Sequence, residues 1–197
     1  MDTETAPVTD ASEAKPLPGD FAIWVFIFAE LTVFGILFTA YAFARASHVQ
    51  LFDAGQRLLD RQTALINTLL LITSSYAVVR AVLAIRADHR QSCVRWLLLA
   101  IALGGSFLVL KIREFAHDAT LGITLSHNLF DMFYLSLTFF HFMHVILGMV
   151  ILTAVALRAH GGHYDARSHA GVETGGAYWH MVDLLWVILF ALVYVIH

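Results

Sequence analysis

The stretch LFDMFYLSLTFFHFMHVILGMVILTAVAL, residues 129–157, decides the fold. A helix needs about 20 apolar residues to cross the hydrocarbon core of a bilayer. This run is longer than that, and Asp131 is its only formal charge. Barrel strands alternate apolar and polar residues, whereas this run is apolar throughout, so a helix is predicted. At about 100° per residue, Asp131, Tyr134, Thr138, His141, His144 and Gly148 fall within an arc of about 140°. Phe133, Phe139, Leu147 and Ile151 occupy the remainder. The helix therefore has one polar, closely packable stripe and one side suited to lipid.

Four further stretches have the same character: Phe21–Ala44, Thr63–Ile85, Val94–Ile112 and Tyr178–Ile196. Composition agrees with them. Of 197 residues, 59% are hydrophobic and 14% charged, where a soluble domain carries about 25% charged residues. Mean hydropathy is +0.72. A water-facing globular surface and intrinsic disorder are both excluded on these grounds. A net charge of −3 leaves no electrostatic footprint for nucleic acid. The single cysteine, Cys93, excludes an internal disulfide, a cysteine zinc site and an iron–sulfur cluster. The predicted fold class is all-α, an integral membrane bundle of five transmembrane helices over residues 21–197. A polar, disordered tail, residues 1–20, precedes it and lacks the basic segment and cleavage site of a signal peptide.

Orientation follows from the basic residues. Lys15, Arg86, Arg90, Arg95, Arg158 and Arg167 lie on the side of the tail, six against five on the other. The positive-inside rule thus favours a cytoplasmic N-terminus in a bacterial inner membrane.

Ionisable groups in lipid face protein interior because a charge at the bilayer centre costs at least about 2.5–3.5 kcal/mol. Glu30, mid-span, reads either as a protonatable group beside a proton path or lipid, or as a neutral acid hydrogen-bonded to a neighbouring helix. His141 and His144 share a face, so they read as metal or haem ligands or as interhelical hydrogen bonders. Asp183 calls for a partner, with His180, three residues before it, the first candidate. Asn67, Ser74 and Ser75 mark one seam, and Gly104-Gly105-Ser106 invites close approach of another backbone. Lys111 and Glu114 read as an ion pair at the membrane interface, and Tyr178 and Trp179 as interface anchors. His160, His163 and His169 form a loop set that is either solvated or metal-binding.

Four landmarks, in order, are similar to the cytochrome c oxidase subunit III family. They are Phe26-Ile-Phe-Ala-Glu30, Leu65-Ile-Asn67-Thr68, Phe139-Phe-His141-Phe-Met-His144-Val-Ile-Leu-Gly148, and Glu173 followed by Tyr178-Trp-His180-Met-Val-Asp183-Leu-Leu-Trp186. Lys111-x-x-Glu114 also sits where that family places a glutamate. Within the family, Pro18-Gly-Asp-Phe-Ala-Ile-Trp-Val and the Tyr178–Trp186 run resemble the short NorE-type members linked to nitric oxide reductase. The resemblance implies a non-catalytic subunit packed against a haem-bearing partner that holds the haem and metal. It also implies a cleft for phospholipid, although this chain lacks the two leading helices that help form that cleft in the larger members. Phe142 stands where a glycine is common.

The expected function is an accessory subunit of a nitric oxide reductase, with subunit III of a terminal cytochrome oxidase as the alternative. No catalytic residue and no cofactor of its own is expected. Glu30, Asn67, Glu114, Asp131, His141, His144, Glu173, His180, Asp183 and Trp186 are the candidate buried polar residues for lipid or subunit contact. Two readings of other classes compete. One is a self-contained haem-b carrier using His141 or His144 with His180, and the other a proton-coupled transporter using Glu30 and Asp183.

Overall fold

Lipid offers no hydrogen bonds to the backbone, so an apolar segment that enters it must satisfy its own N–H and C=O groups. The computed structural model, which describes residues 21–196, meets that demand with helices. In order they are α1 Phe21–Ser47, α2 Val49–Leu58, α3 Arg61–Arg86, α4 Arg90–Thr120, α5 Leu129–His160 and α6 Ala170–Phe190, which runs into a π-helical turn, Ala191–Val195. Five of these, all but α2, are long and apolar enough to cross a membrane. The described residues contain no strand. The tail, residues 1–20, with Lys15 and the Pro18-Gly-Asp element, lies outside the described residues, as does His197.

α3, α4, α5 and α6 pack as a closed group of four, and α1 lies outside them against α6 and α5. The stripe on α5 faces inward: Asp131, Tyr134, Thr138, His141, His144 and Gly148 are all buried, while Phe139 and Leu147 are exposed. One indole fastens three helices. Trp179 of α6 fills notches at Gly148 of α5 and Gly104 of α4. A Cβ at Gly148 would lie 2.8 Å from the Trp179 ring, and one at Gly104 2.6 Å from Met149 Sδ and 2.8 Å from that same ring. Gly104 thus admits side chains where the approach of a second backbone was expected. Tyr178 and Trp179 are core residues, not interface anchors, and Tyr178 donates to His144 O at 3.3 Å.

Three boundaries differ from expectation. The connection between the first two spans holds a helix, α2, whose buried Phe52 and Gln56 lie on one face. α6 begins at Ala170 rather than Tyr178, and Gly175 and Gly176 within it let α5 and α3 approach. Their Cβ positions would stand 3.1 Å from Val155 and 3.3 Å from Val78. α4 continues past Ile112 to Thr120, which draws Lys111 and Glu114 inward.

Caps explain where helices start. Asp60 precedes α3 and accepts from the backbone N–H groups of Gln62 and Thr63 at 3.0 and 3.1 Å, satisfying two orphan donors. The Thr63 hydroxyl also donates to it, and together these bonds hold the Asp60 carboxyl below the usual carboxylate range. Asn128 caps α5 in the same way, accepting from Asp131 N at 2.8 Å.

Candidate functional site

Polar side chains gather at two levels of the bundle. At the α2 end, Lys111 is fully buried beside Glu114, with Nζ 2.9 Å from Oε1. This is an interior ion pair rather than an interfacial one. Glu114 Oε1 also accepts from the Tyr134 hydroxyl at 2.8 Å and the Tyr194 hydroxyl at 2.7 Å. Lys111 Nζ donates to Tyr194 Oη at 3.1 Å. The ammonium lies 5.1, 5.5, 5.3 and 5.7 Å from the ring centroids of Phe115, Tyr134, Trp186 and Tyr194. An aromatic cage offers such a cation the negative faces of its rings, partly offsetting the loss of water. Asp118, one turn on, stands 2.8 Å from the Tyr134 hydroxyl. α4, α5, α6 and the π-helical turn each contribute to this nest.

Gln56 of α2 ties the same end together. Its amide N donates to Tyr41 Oη at 3.3 Å and to the carbonyls of Leu192 and Ile196 at 3.4 and 3.2 Å.

The second level lies half-way along the bundle. His144 of α5 hydrogen-bonds Glu30 of α1, Nε2 to Oε2, at 2.9 Å, and its Nδ1 donates to Phe140 O at 2.7 Å. With Nδ1–H committed to that carbonyl, Nε2 accepts from a neutral Glu30 or, if protonated, donates to a charged one. The bond to a neighbouring helix, part of one of the two readings of Glu30, is present in this geometry. Across the bundle, His180 Nδ1 lies 2.5 Å from Ser75 Oγ of α3. His180 thus pairs with α3 rather than with Asp183, which interacts with the same Ser75 and whose buried Oδ1 has no hydrogen-bond partner among the described residues.

The remaining candidates are dispersed. Asp131 is buried and receives His127 Nδ1 at 2.7 Å and Asn128 Nδ2 at 3.0 Å. Trp186 Nε1 donates to Thr68 Oγ1 at 3.0 Å. His141 is fully buried, and neither ring nitrogen nor either amide atom of Asn67 has a hydrogen-bond partner among the described residues. Its ring packs 5.2 Å from Trp186 and 6.0 Å from Phe107. The interhelical bonding expected of both histidines therefore holds for His144 alone. Glu173 belongs to the tail side, where Arg86 donates to it at 2.7 and 3.0 Å and His169 Nε2 lies 3.2 Å away. Among the described residues no three His, Cys, Asp or Glu side chains converge as a metal set. In the loop, the backbone N–H groups of Ser168 and Arg167 hold the Asp165 carboxyl below its usual range.

Between α1, α3 and α6 runs an apolar groove of about 480 Å³, lined by Trp24, Leu31, Val82, Met181 and Leu184, with Arg86 and Glu173 among its polar wall. Sequence reasoning missed Asp118, Tyr194 and Gln56. Asp118 lies past the expected end of its span, and Gln56 in a connection read as a loop.

Comparison with known proteins places this architecture. The family model for cytochrome c oxidase subunit III matches residues 19–197. Cytochrome c oxidase subunit 3 of Thermostichus vulcanus is 34% identical over 98% of this chain and 94% of its own length. Its counterpart from Synechocystis sp. is 34% identical over 89% of this chain and 75% of its own. The heme-copper oxidase subunit I+III of Aeropyrum pernix is 30% identical over 93% of this chain, which covers 24% of that longer protein. This five-span membrane protein belongs to the cytochrome c oxidase subunit III family and is a non-catalytic accessory subunit of an oxidase complex.

Proposed function

We propose that the chain serves as subunit III of a terminal cytochrome oxidase in a bacterial cytoplasmic membrane, packed against the haem-bearing subunit and with its N-terminus in the cytoplasm. The observation that carries this reading is similarity along nearly the whole chain to relatives named as oxidase subunits. Nitric oxide reductase, the first expectation, rests on two sequence elements alone, and one of them begins outside the described residues. The Aeropyrum pernix relative, whose name joins subunits I and III in one chain, supports a side-by-side arrangement. α1 supplies a face for it: Val25, Phe28, Val33, Ile36 and Phe43 are exposed along a helix that the rest of the bundle leaves largely uncovered. Glu30–His144 lies behind that face and fixes α1 to the core. The groove beside α1 is the place for acyl chains of a phospholipid, with Arg86 toward the headgroup level.

The test is purification of the tagged chain from gentle detergent with its partners. A haem-containing partner that consumes oxygen is expected. A partner that reduces nitric oxide and not oxygen supports the alternative. A chain that is recovered without any haem protein overturns both.

A further inference from the structure

We infer that Asp118, Tyr134 and Glu114 form a proton-holding site, loaded from a solvent-facing cavity at the α2 end. The inference is independent of which oxidase the chain serves.

The hydrogens about the Tyr134 oxygen are too few for its contacts. Tyr134 has one hydroxyl hydrogen, yet its oxygen stands 2.8 Å from Glu114 Oε1 and 2.8 Å from Asp118 Oδ2. A single hydrogen cannot serve both contacts at full strength, and two charged carboxylates about one hydroxyl would repel. Glu114 Oε1 already receives Lys111 and Tyr194, the pattern of an ionised carboxylate paired with its ammonium. The second contact is then best made by a proton on Asp118 donated to the Tyr134 oxygen, while Tyr134 donates onward to Glu114. Charge gives the same answer. Lys111 and Glu114 cancel, so an ionised Asp118, itself only 6% exposed, would leave a net negative charge in the nest.

The route for this proton is a cavity of about 550 Å³ under the turn that leads into α3. Glu114 and Asp118 both line it. Glu114 is 8% exposed, and its second oxygen, Oε2, is buried without a hydrogen-bond partner among the described residues. Asp60, Arg113 and His117, all exposed, stand at its outer wall. Among the described residues these groups, with Glu114, Lys111, Tyr134 and Tyr194, are the titratable surroundings of Asp118. Discharge is balanced within the network. The Asp118 proton passes to solvent in the cavity, Tyr134 turns its hydrogen from Glu114 to Asp118, and Glu114 keeps Lys111 and Tyr194.

Infrared difference spectra of the full chain in lipid nanodiscs, recorded between neutral and alkaline pH, test the site. Labelling aspartate side chains with carbon-13 should shift a carboxylic-acid C=O band in the unaltered chain. That label-sensitive band should lose one carboxyl's intensity in Asp118→Asn and move in Tyr134→Phe, and Glu30→Gln should leave it unchanged. Absence of any label-sensitive acid band overturns the proposal without recourse to a variant. Retention of the whole band in Asp118→Asn overturns it as well. Should Asp118→Asn fail to fold, a band indifferent to Tyr134→Phe has the same force.

Discussion

The Lys111 nest and the Glu30–His144 pair are both buried polar clusters, yet they are built on opposite plans. Lys111 is enclosed by four rings from four elements, and its carboxylate partner accepts three donors. Glu30 sits on the outlying α1 and, among the described residues, hydrogen-bonds one side chain, His144, with a fifth of its own side chain still accessible. The first arrangement holds the bundle's end together, and the second holds one helix to it. A charge buried on all sides, as that of Lys111 is, becomes structural because nothing else can compensate it, whereas a group at an edge can exchange its partner. The two clusters should therefore respond very differently to loss of a carboxylate.

Glu114→Ala should have the largest effect. It strands the Lys111 ammonium in the interior, and breaking such a pair costs about 3–5 kcal/mol. Thermal unfolding of the detergent-solubilised chain should register it, and a loss no greater than that of Glu30→Gln would erase the contrast. Gly148→Leu comes next. Its side chain must enter the Trp179 ring, and overpacking costs about 1–3 kcal/mol. Leu147→Ala, on the exposed side, should stay within about 0.5 kcal/mol, so equal melting of the two would invert the assignment of faces. Asp60→Ala removes the cap of α3 at about 1 kcal/mol. Because folding lowers the Asp60 carboxyl, its contribution is present above the ordinary carboxylate range and fades as pH falls through the lowered value. The difference between Asp60→Ala and the unaltered chain should thus shrink in acid, and a gap that widens there would contradict the capping geometry. Glu30→Gln should be smallest, about 0.6 kcal/mol or less. The Gln amide can still donate to His144 Nε2, and a larger loss would show that the pair is ionic.

The five spans and the inward stripe of α5 were legible because both depend on hydrophobic periodicity over many turns. α2 was not. Its ten residues include Gln56, Asp53 and Arg57, and such a short polar run reads as a connection unless its packing is known. Gly171, Gly175 and Gly176 concealed the first turns of α6. Glycine weakens a helical pattern, yet the latter two serve close helix contact. Among the candidate residues, Glu30 with His144 and Glu114 with its neighbours came together. Asp183 and His180 did not, because sequence spacing shows which residues share a face but not that Ser75 on another helix reaches His180 first. The burial of Lys111 was hidden by the same error that ended α4 too soon.

The seat of Trp179 has an evolutionary corollary. One ring occupies hollows on two neighbouring helices, and neither hollow accepts even a methyl group without displacing it. Positions 104, 148 and 179 are accordingly not free to drift alone. Any lineage that enlarges one glycine must shrink the indole, and a shrunken indole relaxes the demand on the other glycine. The three columns should change in concert across homologous chains, leaving a covariation triangle that a two-helix contact would not produce.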